Sequence, residues 1–422
     1  MHEIVTLQFG HFANFVGAHY WNTQDAHFNY EQPADDEEIT PELINHDCLY
    51  RIGMTSKLAA EEEEDNVAMN DVKTWSDFSR VYFHPKSMVT MSGYQLNSEF
   101  MPFDVFSYGR AAFIETEKEK ESYDENLRLF MEECDQLQGF QVLVDVLDGW
   151  GGFATSFLER LREDYPKSAL ITYGLSDDQM GKSNTLRERQ VSAANEILSM
   201  ASFSKLSSLY VPVRAPTQSM LSAEGWSKNI NMNPSSRYHT SAFISAGVDS
   251  ALLPGRLRRG SIFMPDMIGS LNWRNITTIG TLSVGLPFPF GSKSIPPLAG
   301  KWSPLLDLSS RNEDIDDQVF SQSVVLRGLE TDQFARYTTG TQNTPRGFVD
   351  ELLDTLPIGK SLGDSNSSPP NLRVDGTSID SAKRINWRMM TQFEGDGPGG
   401  VNSDEFEEAK ESLLDMYDIY NE

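Results

Sequence analysis

The apolar positions of the chain change period along its length, and each period predicts an element. Glu3 to Phe9 alternates around Ile4, Val5, Leu7 and Phe9 and then meets Gly10, which predicts a strand ending in a tight loop. An aromatic-rich helix is expected over Phe15 to Trp21. The runs Pro33 to Glu38 and Glu61 to Asp65 are too acidic to pack, so the stretch between them reads as loop with at most short structure, and the core resumes at Trp75. From Ser122 to Leu137 the apolar positions Leu127, Phe130, Met131, Cys134 and Leu137 recur every three or four residues, which predicts an amphipathic helix stopped by Gly139.

Phe140 to Leu147 is nearly continuous in apolar residues, interrupted by Gln141 and Asp145, as a buried parallel strand would be. A glycine loop, Asp148 to Phe153, comes next, followed by a helix over Thr155 to Asp164 and a strand over Ala169 to Tyr173. That order makes a βαβ unit, so the fold class is α/β with a doubly wound parallel sheet in the N-terminal domain. Arg187 to Leu206 reads as a further helix. Ser241 to Pro254, Ile276 to Pro289 and Phe320 to Arg327 supply apolar segments for a second α/β domain. Ser361 to Pro370 has a linker composition, and Ser403 to Tyr420 closes the chain as an acidic amphipathic helix with Phe406, Leu413, Tyr417 and Tyr420 near one face. The domains are therefore drawn at residues 1–210 with an acidic insert at about 33–73, 211–356, a flexible linker at 357–402, and the helix at 403–422.

Charge narrows the partners. Among 422 residues, 35 Lys and Arg stand against 62 Asp and Glu, a net charge of −27 that disfavours direct contact with nucleic acid or an anionic bilayer and favours a basic partner surface. Cys48 and Cys134 are too few and too far apart for a disulfide framework or a thiolate zinc site, which fits a reducing compartment. The N-terminal MHEIVTLQFG has no leader pattern, no transmembrane segment is apparent, and an Arg-rich import presequence is absent, so action at an organelle is expected from its cytosolic side.

Candidate chemistry is sparse. Gly10 and Gly149 to Gly152 each follow a predicted strand, where backbone amides could approach phosphate, although glycine serves a structural turn equally well. Gly174 to Ser183 looks like a P-loop, but six residues separate its glycines where four are needed, and Asp177 and Asp178 would repel phosphate. His11, His19 and His27 recur every eight residues, a spacing that does not gather three imidazoles on one metal. With no GxSxG elbow, and with Cys134 expected mid-helix, no nucleophile is indicated.

Met1, Glu3, Ile4, Val5, Gln8, Gly10, Asn14, Gly17, Ala18 and Trp21 resemble the tubulin N-terminus without a gap. Cys134 to Gln141 and Arg162 to Pro166 are similar to the stretches before and after the β-tubulin glycine signature. The closer resemblance is to the Misato family, through Asn14 to Asn22, Leu49 to Gly53, Trp75 to Val81 with His84-Pro85, Glu132 to Asp135, Leu137 to Gln141, Asp148-Gly149 and Phe320 to Gly328. This resemblance implies a tubulin/FtsZ-like fold and a role in partitioning mitochondria and their DNA, at the mitochondrial surface and in the cytoplasm. Its implied partners are the cytosolic chaperonin or tubulin and microtubule components.

A retained nucleotide pocket would comprise Gly10, His11, Phe12, Asn14, Asp148, Gly149, Gly151 and Gly152, with GTP and magnesium as cofactor. Departures from tubulin argue against catalysis. His11 and Ala13 replace Gln and Gly, and the GGGTGSG signature becomes Asp148-Gly-Trp-Gly-Gly-Phe-Ala154, which puts an acid beside phosphate and two bulky rings in a backbone cradle. Tubulin's catalytic loop has no counterpart, so a degenerate, non-catalytic GTPase motif is expected. In an active enzyme Asp148 would instead bind the magnesium. Between Gly53 and Trp75 the family's usual Thr-Pro-Arg segment and following strand are also missing.

Overall fold

The computed structural model describes residues 2–26, 44–49, 72–91, 94, 102–177, 185–223, 232–258, 260–272, 276–285, 306–309, 321–325, 371–376 and 403–421. Both acidic runs, His27, the stretch between Gly53 and Val72 and the Ser361 to Pro370 segment lie outside these residues.

β1 (Glu3–Phe9) leads through Gly10 into α1 (His11–Ala26), five residues longer at its C-terminal end than the aromatic segment alone predicts. α2 (Phe106–Lys120) ends at Glu121, which adopts a left-handed φ of 45°. A π-type turn over Ser122–Leu127 and the single turn α3 (Arg128–Met131) follow. β2 (Leu137–Asp145), α4 (Trp150–Asp164), β3 (Ala169–Ser176), α5 (Leu186–Leu206) and β4 (Leu209–Arg214) then alternate. Beyond them come α6 (Gln218–Ala223), α7 (Arg237–Leu252), α8 (Met264–Leu271), β5 (Gly280–Gly285), β6 (Leu306–Asp307), β7 (Ser321–Val325), β8 (Asn371–Gly376) and α9 (Ser403–Asn421).

The first four strands form one parallel sheet in the order β1-β2-β3-β4. Period-two alternation sends Val5, Leu7, Phe140, Val142 and Val144 to a face covered by α2, α4, α5 and α9. Ile4, Leu143, Ile171, Tyr173 and Leu175 go to the opposite face, under α1, α7 and α8. Helices on both sides of a parallel sheet establish the doubly wound α/β class, consistent with the tubulin-like fold that the resemblance implies. The remaining strands form an antiparallel sheet in the order β6-β5-β8-β7. It abuts β4, where the Tyr210 amide donates to Thr278 O at 2.6 Å and the Arg214 amide to Leu308 O at 2.7 Å.

Several expectations are corrected. The helix drawn over Ser122 to Leu137 stops at Met131, because Leu137 and Gly139 belong to β2, paired with Glu3 and Ile4 of β1. Gly139 is a packing glycine rather than a helix stop, since a Cβ there would crowd Met264 Sδ at 2.8 Å and the Ala169 backbone. Cys134 therefore lies beyond the helix, half-buried, with its thiol donating to Phe130 O at 3.3 Å. Burial pushes that thiol up to about 11, so it stays protonated and unreactive.

Ser241 to Leu252 lies in helix α7, whose burial on most sides erases the one-sided pattern that would have shown it. β4 straddles the domain boundary drawn between residues 210 and 211, and β8 occupies part of the range expected as linker. Gly174 is inside β3, so the P-loop-like stretch begins within a strand.

Candidate functional site at the carboxyl ends of β1 and β2

After β1 the chain passes into α1 on one face of the sheet, and after β2 it passes into α4 on the other. The carboxyl ends of two adjacent strands whose helices part to opposite faces mark the crevice where open α/β sheets bind ligands. Gly10, His11, Phe12 and Asn14 lie just beyond β1, and Asp148, Gly149, Gly151 and Gly152 just beyond β2.

What fills the crevice is the chain itself. The Phe12 amide donates to Asp145 Oδ2 at 2.9 Å and the Ala13 amide to Asp145 Oδ1 at 2.8 Å, while the Asn14 amide returns to Gly10 O at 3.1 Å. Gly10 has φ +120°, and a Cβ on it would run into the Asp145 carboxyl group. At the other helix, Asp148 Oδ1 accepts from the Trp150 amide at 2.9 Å and Phe103 O accepts from the Gly149 amide at 3.1 Å.

The glycine loop is largely the first turn of α4, and its missing side chains make room for protein. A Cβ on Gly149 would meet the Phe103 ring at 2.9–3.0 Å, one on Gly151 would strike Ser199 Oγ, and one on Gly152 would strike the backbone carbonyl of Phe106. Gly109 of α2 lies equally close to Gly149 O, so α2 and α4 cross at backbone contact. Buried Asn195 fixes the crossing: its Oδ1 accepts from the Phe106 amide at 2.9 Å, and its Nδ2 donates to Asp104 O at 2.6 Å and Leu147 O at 3.0 Å.

The electrostatics run the same way. Asp145, Asp148 and Asp177 are all buried, and Arg237 at the start of α7 donates to Asp177 Oδ2 at 2.6 Å. Burial and the neighbouring Asp148 push Asp145 well above the usual carboxylate range, against the downward pull of its two amide donors. Burial raises Asp148 to about 7, opposed by the Trp150 amide and Arg237. His11 is held below its ordinary value by burial and then by Arg237, and its ring packs edge-on to Phe15 at 5.1 Å. Among the described residues, no group of three or more His, Cys, Asp or Glu side chains is placed to hold a metal ion.

The flank of the crevice between α1 and α7 is closed by Phe78, whose ring lies 4.5 Å from His19, 4.9 Å from Tyr238 and 5.6 Å from Phe15. Asn22 clamps its backbone, with Nδ2 donating to Phe78 O and Oδ1 accepting from the Arg80 amide, each at 2.8 Å. His19 is buried, donates through Nε2 to Tyr238 O at 2.9 Å, and is pushed down to about 4 by burial. It packs as a neutral residue. GTP with magnesium fits these residues poorly: the Phe12 and Ala13 amides already donate to Asp145 and the Trp150 amide to Asp148, so three of the backbone donors at the two helix starts are taken by carboxyl groups of the protein itself.

Sequence reasoning found the loops but not Asp145, Phe103, Phe106, Asn195 or Arg237. The available signal for Asp145 was a carboxylate ending an otherwise apolar strand.

Comparison with known families gives two adjoining matches, Misato Segment II tubulin-like domain over residues 2–67 and Tubulin domain over residues 64–257. Protein DML1 of Gibberella zeae is 31% identical over 332 residues, covering 64% of this chain and 63% of the relative. Protein DML1 of Coccidioides immitis is 32% identical over 314 residues, covering 61% and 59%. Protein misato homolog 1 of Mus musculus is 26% identical over 415 residues, covering 78% and 72%. The matched region thus spans about three fifths of the length of the two DML1 relatives.

Proposed function

The chain belongs to the Misato family of tubulin-like proteins, and on that footing we propose that it is a non-catalytic tubulin-like scaffold acting in the distribution and inheritance of mitochondria. One observation supports the non-catalytic part: the Phe12 and Ala13 amides, which a phosphate beyond β1 would need, already donate to the buried Asp145 carboxyl group, and the glycines at the start of α4 pack against protein. The mitochondrial part, including action at the cytosolic face of the organelle, is supported by the family resemblance of the sequence. No described helix is long and apolar enough to cross a membrane, so a peripheral attachment is proposed.

Calorimetric titration of folded, nucleotide-free protein with GTP and magnesium, with ATP as control, tests the first part. No saturable heat is expected; stoichiometric magnesium-dependent binding would overturn it. Depletion of the protein followed by imaging of mitochondrial partitioning tests the second, and normal partitioning would refute it.

A second reading has its own observation. α9 lays Phe406, Ala409 and Leu413 against the core and leaves Asp404, Glu407, Glu408, Glu411 and Asp415 exposed, a surface suited to a basic partner. An adaptor role with the cytosolic chaperonin or tubulin would use it. Affinity purification that returns those partners without mitochondrial material would favour this reading over the first.

A further inference from the structure

We propose that Asp145 is a built-in ligand of α1: its carboxyl group stands where a phosphate would bind beyond β1 and keeps the crevice in one arrangement whatever nucleotide surrounds the protein. The inference deepens the reading of a pocket closed to nucleotide and rests on it. The two carboxyl oxygens take one amide each, from Phe12 at 2.9 Å and Ala13 at 2.8 Å, consecutive donors in the first turn of a 16-residue helix. Consecutive unpaired amides at a helix start are the donors that a bound anion uses.

Gly10 supplies an independent observation. Its left-handed φ of +120° and its missing side chain shape the backbone around the Asp145 carboxyl, whose Cβ would lie 2.7 Å from any Cβ at position 10. That space is filled by the Asp145 carboxyl group, whose hydrogen bonds to Phe12 and Ala13 span 132–133 positions of the chain.

Asp145 is also held firmly. It ends β2, which pairs along its length with β1 and β3, with Phe9 opposite Val144 and Asp145 opposite Leu175. A bound phosphate departs after hydrolysis or exchange, but a side chain anchored on a central strand cannot. The start of α1 is thus held by a side chain of the sheet and not by an exchangeable ligand. The protein should hold one conformation where a nucleotide-gated relative would have two.

Chemical rescue of the full chain tests this. Asp145→Ala should lower the thermal midpoint by on the order of 5 °C, and formate, which matches the deleted carboxyl, should restore at least half of the loss. Chloride at equal ionic strength should restore none, and the wild type should not respond to formate. A folded Asp145→Ala protein that formate fails to rescue, or that chloride rescues as well, overturns the proposal.

Should that variant fail to fold, Asp145→Asn keeps the shape but turns an NH2 toward one of the two amides. Exchange of the Phe12 and Ala13 amide hydrogens should then quicken roughly tenfold while β2 stays protected; unchanged exchange overturns the proposal. Titrating the wild type with GTP and magnesium in parallel separates the two ideas. Binding there defeats the closed-pocket reading, whereas the formate result alone judges Asp145.

Discussion

Replacing Asp148 by Asn should stabilise this protein, and by an amount that depends on pH in a definite direction. The carboxyl is buried, and burial lifts it from an ordinary value of 3.8 to about 7. At 1.36 kcal/mol per pH unit, that difference corresponds to roughly 4 kcal/mol of penalty for ionising Asp148 in the fold. A raised folded value means that the native state holds the proton more tightly than the unfolded chain. Its contribution is therefore fully favourable below about pH 4, declines as pH rises, and is exhausted above about pH 7.

Asn never ionises, and its Oδ1 can still accept from the Trp150 amide that Asp148 now holds at 2.9 Å. Urea denaturation of both proteins at pH 8 and pH 5 should show the variant ahead by up to roughly 4 kcal/mol at pH 8 and by less than half of that at pH 5. The difference between proteins is the quantity to follow, because His19 gives the wild type an opposing trend. An identical difference at both pH values, or a less stable variant at pH 8, would mean that the Asp148 carboxylate is satisfied as an anion and that the electrostatic reading of the crevice is wrong.

Other perturbations follow from the same contacts. His19 is neutral in the fold with its value pushed down to about 4, so its contribution is complete above about pH 6.5 and is lost as pH falls toward 4; His19→Gln should flatten acid unfolding by up to roughly 3 kcal/mol, measured as the slope of stability between those limits. Asp249→Ala should destabilise by about 3–5 kcal/mol, because it strips the partner from Arg256, which is fully buried with Arg256 Nη2 donating to Asp249 Oδ1 at 2.5 Å; a loss under 1 kcal/mol in urea titration would refute the pairing. Gly152→Val should lower the thermal midpoint sharply or prevent folding, since its Cβ meets the Phe106 carbonyl. A soluble, stable Gly152→Val protein would show that α2 and α4 do not cross as described. The same clash means that loss of mitochondrial inheritance in bulky Gly151 or Gly152 variants would report unfolding and could not by itself demonstrate a working nucleotide pocket.

The sequence by itself determined β1, the β2-α4-β3-α5 succession, the acidic terminal helix and the family, because period-two and period-3.6 patterns and strand-turn-helix order are local information. The same local order put Gly10 and Gly149 to Gly152 just after predicted strands. What only the tertiary structure decided is what those residues face. Gly139 looked like a helix stop until β1 paired with it. α7 hid its period because it is buried on most sides. The glycines at the start of α4 looked like a cradle because glycine signals only that something comes close, and the something is Phe103 before α2, Phe106 at the start of α2 and Ser199 of α5. Asp145 read as a blemish in an apolar strand, and its role appears only when folding brings it against the amides of Phe12 and Ala13, more than 130 residues earlier in the chain. Close approach is a property of pairs distant in sequence, and no local pattern encodes the identity of the partner.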